Sequence, residues 1–221
     1  MKQCLLCEKE LRENHQFREL LLLCHQEEWI CKECKESFQE IGSIHCPRCF
    51  KEKEIQICKD CELWEQKGNI VHHEAIYRYN ESMKEYFKRY KFEGDKLLGK
   101  VFSRRLKTEL KKYKNYIVVP TPISREKKQE RGFNQVSTIL DDAKINYSDI
   151  FEKKDGVAQS KKTREERLKT SQHFRLKGKV QKNKQYLIVD DIYTTGKTIE
   201  LMKQLLTEKG VKEIKTFSIA R

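Results

Sequence analysis

Residues 186–198 read Tyr-Leu-Ile-Val-Asp-Asp-Ile-Tyr-Thr-Thr-Gly-Lys-Thr, and this stretch decides the fold. Its first four residues form an apolar run that is typical of a fully buried parallel strand. Asp190 and Asp191 follow the run, and open α/β sheets bind their ligands at the ends of such strands. The stretch therefore predicts an α/β fold with a site at the carboxyl end of a strand.

The residues after the two aspartates predict a phosphate cradle at the start of a helix. Gly196 lets backbone N–H groups approach an anion, and the helix N-terminus adds a favourable partial charge. Together with the aspartates, which accept hydrogen bonds from sugar hydroxyls, this cradle suits a phosphorylated ribose. The cradle residues are Thr194, Thr195, Gly196, Lys197 and Thr198.

Two other interpretations of this stretch are weaker. The aspartates and threonines could simply cap a turn and a helix, but an apolar strand, paired acids, Thr-Thr-Gly and a helix in this order favour a ligand site. A Walker phosphate loop is excluded because it requires a glycine five residues before Gly196, and Asp191 stands there.

Length and charge bound the architecture and the partners. A chain of 221 residues accommodates one large domain or two small ones. It has no run of about eighteen apolar residues, so we expect no membrane span and a cytoplasmic protein. Residues 1–61 hold ten Lys/Arg and twelve Asp/Glu, whereas the remainder holds 37 and 22, a net charge of +15. This basic body suits polyphosphates or nucleic acid, although a solubilising lysine-rich surface has the same composition.

Eight of the nine cysteines fall into four Cys-x-x-Cys pairs. In a reducing compartment this spacing is typical of metal binding, and two pairs complete one tetrahedral zinc site. We predict a double zinc ribbon over residues 1–64 with two structural zinc ions. The predicted ligands are Cys4, Cys7, Cys31, Cys34, Cys46, Cys49, Cys58 and Cys61. Sequential grouping of the pairs is simplest, a crossed grouping also fits, and Cys24 is expected to be a small core residue.

The rest of the chain, residues 70–221, predicts the α/β domain. After a strand within residues 70–79, a helix capped by Asn80 or Ser82 carries an aromatic stripe. The stripe can stack bases, but at helical spacing it more often belongs to the core. Its members are Met83, Tyr86, Phe87 and Tyr90.

A second buried strand over residues 116–119 leads into a basic loop. Arg pairs phosphate oxygens bidentately and Lys acts as a point charge, so this loop is a reasonable diphosphate site, with Arg125 and Arg131 as binding residues. The loop also carries Lys127 and Lys128. A last strand within residues 212–220 completes a mainly parallel sheet with helices on both faces.

Several motifs together resemble a known family. Residues 186–198 resemble the phosphoribosyl-pyrophosphate (PRPP) signature of the type I phosphoribosyltransferases. With Pro120-Thr121-Pro122, the run Arg-Gly-Phe-Asn-Gln at 131–135, Gln159 and the segment 167–174, the chain is similar over nearly its whole length to the ComF family. The resemblance implies a type I phosphoribosyltransferase domain behind a zinc finger.

The resemblance also implies residue roles. Asp190 and Asp191 would hold the ribose hydroxyls, residues 194–198 the 5′-phosphate of Mg²⁺-bound PRPP, and the loop after Val119 would face pyrophosphate. The basic segment 152–179 is similar to the flexible loop that closes over the diphosphate in that fold, although a solvated lysine-rich loop is the alternative. A family arginine shortly before Gln159 is replaced here by lysine or Asp155.

Two functions are compatible with these motifs. In the first, the protein is a phosphoribosyltransferase acting on PRPP, or another phosphorylated ribose, in natural transformation, where the family handles imported single-stranded DNA. In the second, it is a non-catalytic zinc-containing adaptor with a sensory or vestigial PRPP site. Such an adaptor would bind single-stranded DNA or a protein partner, such as a ComFA-like competence helicase or translocase. The motifs predict the ligand but not the reaction, because no acceptor pocket can be identified in the sequence.

Overall fold

The fold is described from a computed structural model that covers residues 2–11, 28–153 and 174–221. Cys24, Gln159 and most of the basic segment 152–179 lie outside these residues, and the predictions made for them stay predictions.

A four-stranded parallel sheet forms the centre of the fold. Its strands lie in the spatial order β1 (His73–Tyr77), β6 (Ile214–Ala220), β5 (Gln185–Ile192) and β2 (Tyr116–Pro120). The register places Pro120 beside Val189, and Asp190 beside Ser218. The carboxyl ends of β2 and β6 therefore flank the two aspartates. An antiparallel ribbon of β3 (Phe151–Lys153) and β4 (Phe174–Leu176) lies outside this sheet.

Seven helices are described. They are α1 (Lys32–Ser37), α2 (Lys59–Gln66), α3 (Glu81–Phe92), α4 (Gly99–Leu110), α5 (Arg125–Arg131), α6 (Gln135–Asp142) and α7 (Lys197–Glu208), with short 3₁₀ turns at Lys96–Leu98 and Lys111–Tyr113. Asn80 caps α3, because its side chain accepts a hydrogen bond from the Met83 N–H at 3.0 Å. Of the two predicted caps, Asn80 is therefore the one that forms.

Helices cover both faces of the sheet, because neighbouring residues of a strand point to opposite sides. On one face, Leu187 and Val189 of β5 join a core with α3, α4 and α6. On the other, Tyr186 and Ile188 pack with α7 and the β3–β4 ribbon. The predicted α/β architecture with helices on both faces is confirmed.

The aromatic stripe of α3 belongs to the core. Met83, Tyr86, Phe87 and Tyr90 are at most 2% exposed, so no base can stack on them. The two phenol groups bond to backbone carbonyls, Tyr86 to Leu98 at 2.9 Å and Tyr90 to Gln135 at 2.8 Å. The stripe therefore fixes α3 against α4 and α6 and offers no surface for nucleic acid.

The N-terminal region contains the same cysteine unit twice. Each unit begins with a tight turn closed by an antiparallel bridge, Gln3 with Glu10 and His45 with Glu52. The residue after the second cysteine of each turn, Glu8 or Phe50, has a φ near +60°. Each unit then ends in a helix preceded by a cysteine. The first cysteine unit comprises residues 2–11 and 28–38, and the second comprises residues 45–66.

The two cysteine units pack on opposite faces of the sheet. Cys4, Ile30 and Phe38 of the first unit join the core of α3 and α4, whereas the cysteines of the second join the core of α7. The connector between them pairs with the edge of β1, where the Ile41 N–H donates to the Ile76 carbonyl at 2.9 Å. This pairing covers backbone groups that an edge strand otherwise leaves open.

Two sequence-based predictions of local structure were wrong. Asp190 and Asp191 lie inside β5 rather than after it, because pairing with β6 continues to Ile192. The basic stretch after β2 is a helix, α5, rather than a loop. Ser124 caps its first turn through the Lys127 N–H at 3.3 Å, and Gly132 ends it with a φ of +77°.

Candidate functional site

A small polar cavity lies where β5 leads into α7. It measures about 60 Å³ and is lined by Asp190 and residues 192–199, of which residues 193–198 are called the phosphate loop below. Thr194, Thr195 and Lys197 are exposed. Helix α7 begins at Lys197, so the unpaired N–H groups of its first turn lie at the cavity. Hydroxyls, a lysine and a helix N-terminus are together suited to a phosphate group.

Gly196 is required by the geometry of the phosphate loop. Its φ is +75°, a conformation that residues with a Cβ adopt only at a cost. A Cβ at this position would also overlap the Tyr193 ring, with its Cζ only 2.6 Å away. That ring is held in place by the imidazole of His73, 4.0 Å away between centroids. The loop can therefore close tightly only with glycine at residue 196.

Asp190 faces the cavity and is held by the loop after β2. Its Oδ1 accepts hydrogen bonds from the Thr121 hydroxyl at 2.8 Å and the Asp191 N–H at 2.9 Å. The Thr121 carbonyl accepts from the Asn134 side chain at 2.9 Å, so the Pro-Thr-Pro and Arg-Gly-Phe-Asn-Gln motifs meet at this aspartate. Burial, and then the charge of Asp191, raise the pKa of Asp190 to about 7 although both hydrogen bonds oppose the shift.

Asp191 points to the opposite side of β5. It is 5% exposed, and its Oδ2 lies 2.8 Å from the ammonium of Lys91 on α3. The sequence predicts that both aspartates accept hydrogen bonds from sugar hydroxyls, but side chains alternate across a strand, so Asp191 does not face the cavity beside Asp190. Asp190 is the carboxylate available to a ligand. No sequence signal identified Lys91, which lies one hundred residues earlier.

The predicted diphosphate cations do not all approach the aspartates. Arg125 is exposed, and its guanidinium lies 4.0 Å from the carboxylate of Glu152. Arg131 donates to the Gln135 side chain at 3.1 Å and stacks 5.3 Å from the Phe92 ring.

Lys153 of β3 is affected by the charges of both Lys127 and Asp190. Burial, and next the charge of Lys127, lower the pKa of Lys153, while the charge of Asp190 acts in the opposite direction. The structure thus brings Lys153 within electrostatic reach of Lys127 of α5 on the one hand and of Asp190 on the other. Both lysines are in the sequence-predicted basic regions, but spacing alone did not separate them from their neighbours.

The eight paired cysteines form two clusters in sequential order. One contains Cys4, Cys7, Cys31 and Cys34, the other Cys46, Cys49, Cys58 and Cys61, with all four Sγ atoms of each cluster within 4.8 Å of one another. Three Sγ–Sγ distances within the clusters are 3.6 Å for Cys7–Cys31, 3.6 Å for Cys49–Cys58 and 3.9 Å for Cys46–Cys61. A zinc tetrahedron with Zn–S bonds of about 2.3 Å has edges of roughly 3.8 Å, so both clusters fit the ion.

Backbone N–H groups favour the thiolate form that a metal requires. Burial alone would raise the pKa of Cys46, but N–H donors that include Cys58, at 3.4 Å from its sulfur, bring it down to about 7. The same balance brings the pKa of Cys4 to about 7, with Cys31 as donor. The clusters differ in exposure: all four cysteines of the second are buried, whereas Cys7 of the first is exposed.

No helix in the described part of the chain is long and apolar enough to cross a membrane.

The amino-acid sequence of this chain is similar to those of known proteins. The phosphoribosyl transferase domain family matches residues 130–221. The chain is 45% identical to competence protein ComFC of Streptococcus pneumoniae, an alignment that covers 99% of this chain and all of that one. It is 30% identical to competence protein ComFC of Bacillus subtilis, over 99% and 94% of the two chains. Competence protein F of Haemophilus influenzae is 24% identical over 86% of this chain and 84% of its own length.

We predict two zinc ions per chain that a chelator removes at different rates. The first cluster should release its ion faster, because Cys7 is exposed to the chelator while the second cluster is buried. Elemental analysis gives the count, and stopped-flow release into a chromogenic chelator gives the two rates. One ion per chain, or a single phase carrying both ions, would contradict the two unequal sites.

We predict that Gly196→Ala abolishes phosphate binding by the loop, because the added Cβ meets the Tyr193 ring. Gly94→Ala is the matched control: its φ is +73°, and an added Cβ would meet nothing within 4 Å in the described structure. Both variants should lose about 1–2 kcal/mol from the left-handed conformation, measured by urea unfolding. Only Gly196→Ala should lose affinity for ribose 5-phosphate, and equal affinities for the two variants would refute the steric argument.

We predict that Asp190→Asn gains stability relative to the wild type as the pH rises. The pKa of Asp190 is about 7 in the folded chain and about 3.9 in an unfolded one, so the folded state binds more protons between these values. Its contribution to the free energy of unfolding therefore falls as the pH rises through this window. Between pH 6 and pH 8 the difference between variant and wild type should change by about 1 kcal/mol.

Urea unfolding at both pH values measures this difference. Both proteins carry the same cysteine clusters, so the pH dependence of metal binding cancels in the comparison. A difference that stays constant from pH 6 to pH 8 would place the pKa of Asp190 outside that range.

Proposed function

Because this chain belongs to the ComFC family of competence proteins and carries a phosphoribosyltransferase-type domain, we propose that it is a competence factor whose α/β domain binds PRPP. The observation that supports the ligand best is the pairing of Asp190 with the phosphate loop at one cavity. A carboxylate that accepts from hydroxyls, beside a cradle for an anion, matches the two ends of a ribose 5-phosphate. We place its site of action in the cytoplasm, where PRPP and a competence machinery would be available to it.

The ligand would bind through three parts of the site. The 5′-phosphate would take the N–H groups and hydroxyls of the phosphate loop, and the ribose hydroxyls would donate to Asp190. The diphosphate would then extend towards Lys153 and Lys127; the interaction of Lys153 with both Asp190 and Lys127 supports this direction. Mg²⁺ bound to the diphosphate would supply the positive charge that offsets its oxygens.

The contacts of Arg125 and Arg131 favour different roles for the two side chains. Arg125 is exposed and close to Glu152, so it can turn towards a diphosphate by leaving a weak surface pair. Arg131 is bound to Gln135 and Phe92, which favours a role in fixing α5 against α6. We therefore propose that Lys127 and Lys153 contact the diphosphate first and that Arg125 adds to them.

If the bound PRPP reacts, these same groups would promote departure of the diphosphate. Breaking the bond between C1 and the diphosphate leaves positive charge on the ribose and negative charge on the leaving group. Fixed cations next to the leaving oxygens lower the free energy of that state. Pyrophosphate release in the presence of nucleobases would distinguish a transferase from an adaptor that only senses PRPP.

The two cysteine clusters are proposed to hold zinc as structural ions. Four thiolates close the coordination sphere and leave no position for a substrate. The sequential grouping and the spacing of the sulfur atoms support this. Each ion would hold together the short turn and the helix of its cysteine unit.

Single-stranded DNA and a ComFA-like helicase or translocase remain proposed partners. The outer face of α4 and the 3₁₀ turn after it supports a nucleic acid ligand, since it carries the exposed cations Arg104, Lys107 and Lys111. A row of cations on a helix neutralises backbone phosphates without reading the sequence. This face is separate from the PRPP cavity, so both ligands could be bound together.

We predict that PRPP with Mg²⁺ binds the wild-type protein and that Asp190→Asn weakens binding at least tenfold, because two ribose hydroxyls lose a charged acceptor. Glu208→Gln is the matched control: it also removes one carboxylate, on the exposed far end of α7. Isothermal titration calorimetry measures the three affinities. Absence of binding by the wild type, or equal affinities for all three proteins, would refute the proposed ligand site.

A further inference from the structure

Arg221 joins the second cysteine unit to the phosphate loop. One guanidinium nitrogen donates to the carbonyls of Tyr193 at 3.2 Å and Thr194 at 2.6 Å. The other donates to the sulfur of Cys49 at 3.3 Å and lies 3.8 Å from the carboxylate of Asp60. The side chain is only 10% exposed and stacks 4.8 Å from the Tyr193 ring. A single buried side chain thus contacts a metal-ligating sulfur and two loop carbonyls.

Trp64 makes a second, independent connection. It lies on α2, three residues after Cys61, and its indole N–H donates to the Thr195 carbonyl at 3.0 Å. The carbonyls of residues 193, 194 and 195 are therefore all held by groups in or against the second cysteine unit.

Holding these carbonyls also fixes the donors of the loop. In a trans peptide the N–H points opposite to the carbonyl of the preceding residue. The N–H groups of Thr194, Thr195 and Gly196 are consequently directed away from the cysteine unit. Thr194, Thr195 and Gly196 line the cavity proposed for the phosphate. The second cysteine unit therefore sets the orientation of the N–H groups that would donate to the phosphate.

Metal at the second cluster strengthens the connection. Zinc with four thiolates carries a net charge of −2, so the hydrogen bond from Arg221 to Cys49 has charge on both partners. Without the ion, the unit loses the metal–sulfur bonds that hold its turn and helix together. The sulfur that Arg221 contacts and the helix that carries Trp64 are then no longer held in place, so the two side chains no longer fix the carbonyls of the phosphate loop.

The first cysteine unit is attached elsewhere. Its anchor is Arg89, which donates to the carbonyls of Leu6 at 2.9 Å and Leu5 at 3.1 Å and pairs with Asp95 at 3.2 Å. Arg89 is on α3, whose core residues are buried independently of this contact. The two cysteine units therefore have the same local structure, but the first is anchored to α3 and the second contacts the phosphate loop.

We propose that the second cysteine unit positions the phosphate loop through Arg221 and Trp64, so that metal at Cys46, Cys49, Cys58 and Cys61 and a phosphoribosyl ligand at the loop bind cooperatively. The identity of the ligand rests on the proposed function, whereas the mechanical connection does not. Coupling between two sites is reciprocal. The metal strengthens ligand binding, and the ligand slows release of this metal while the other cluster is unaffected.

The test compares wild-type protein with three variants. Arg221→Met removes the guanidinium and keeps an apolar stem, and Trp64→Phe keeps the ring and removes the N–H. Arg89→Met is the matched control at the first unit. For each protein we would measure zinc release into a chromogenic chelator with and without PRPP and Mg²⁺, and PRPP affinity by calorimetry.

PRPP should slow one of the two release phases of the wild type and leave the other unchanged. Arg221→Met should weaken PRPP binding roughly tenfold, a usual size for coupling between sites, and abolish the protection. Trp64→Phe should weaken PRPP binding with two zinc ions still bound, which a general loss of folding would not produce. Arg89→Met should speed the unprotected phase and keep wild-type affinity. Wild-type affinity in Arg221→Met, or equal protection of both phases, would overturn the proposal.

Hydrogen–deuterium exchange without ligand separates this inference from the proposed function. If the wild type does not bind PRPP, the ligand assignment fails, but the amides of residues 194–198 should still exchange faster in Arg221→Met than in the wild type. Unchanged exchange there would overturn the mechanical connection itself.

Discussion

Burial of β5 between β2 and β6 is the constraint on which the rest of the structure depends. Pairing on both sides leaves the strand no edge, and helices cover both faces of the sheet. Residues 186–189 must therefore be apolar towards both faces. Pairing with β6 continues through Asp190 to Ile192 after pairing with β2 has ended at Val189, which places two carboxylates where the sheet ends. The turn into α7 then has to be tight, and Gly196 provides it.

The alternation along β5 separates the two carboxylates into different environments. Asp191 faces α3 and is neutralised by Lys91, so removing either partner would leave a buried charge uncompensated. Asp190 faces the cavity with a hydroxyl and an N–H as partners, and among residues 2–11, 28–153 and 174–221 no cation is bonded to it as directly. Burial and the charge of Asp191 raise the pKa of Asp190. A ligand with hydroxyl donors or a bound cation would add hydrogen bonds or a positive charge at the Asp190 carboxylate.

Much of this could be predicted from the sequence, because the informative signals are local. The buried strand, the paired acids, the glycine turn and the Cys-x-x-Cys pairs each lie within a few residues, and the family membership confirms the resemblance drawn from them. The contacts of Lys91 with Asp191, of Trp64 with Thr195 and of Arg221 with Cys49 could not be predicted, since each joins residues a hundred or more positions apart. The helix α5 was missed because its charged sequence has no apolar periodicity, and its caps at Ser124 and Gly132 decide it.

The most direct measurement of the central claim is a crystal structure of the protein with PRPP and Mg²⁺. We expect electron density for the 5′-phosphate on the N–H groups of the phosphate loop, with the ribose hydroxyls on Asp190 and the diphosphate towards Lys127 and Lys153. Density for the ligand at another surface, such as the basic face of α4, with the cavity beside Asp190 unchanged, would contradict it.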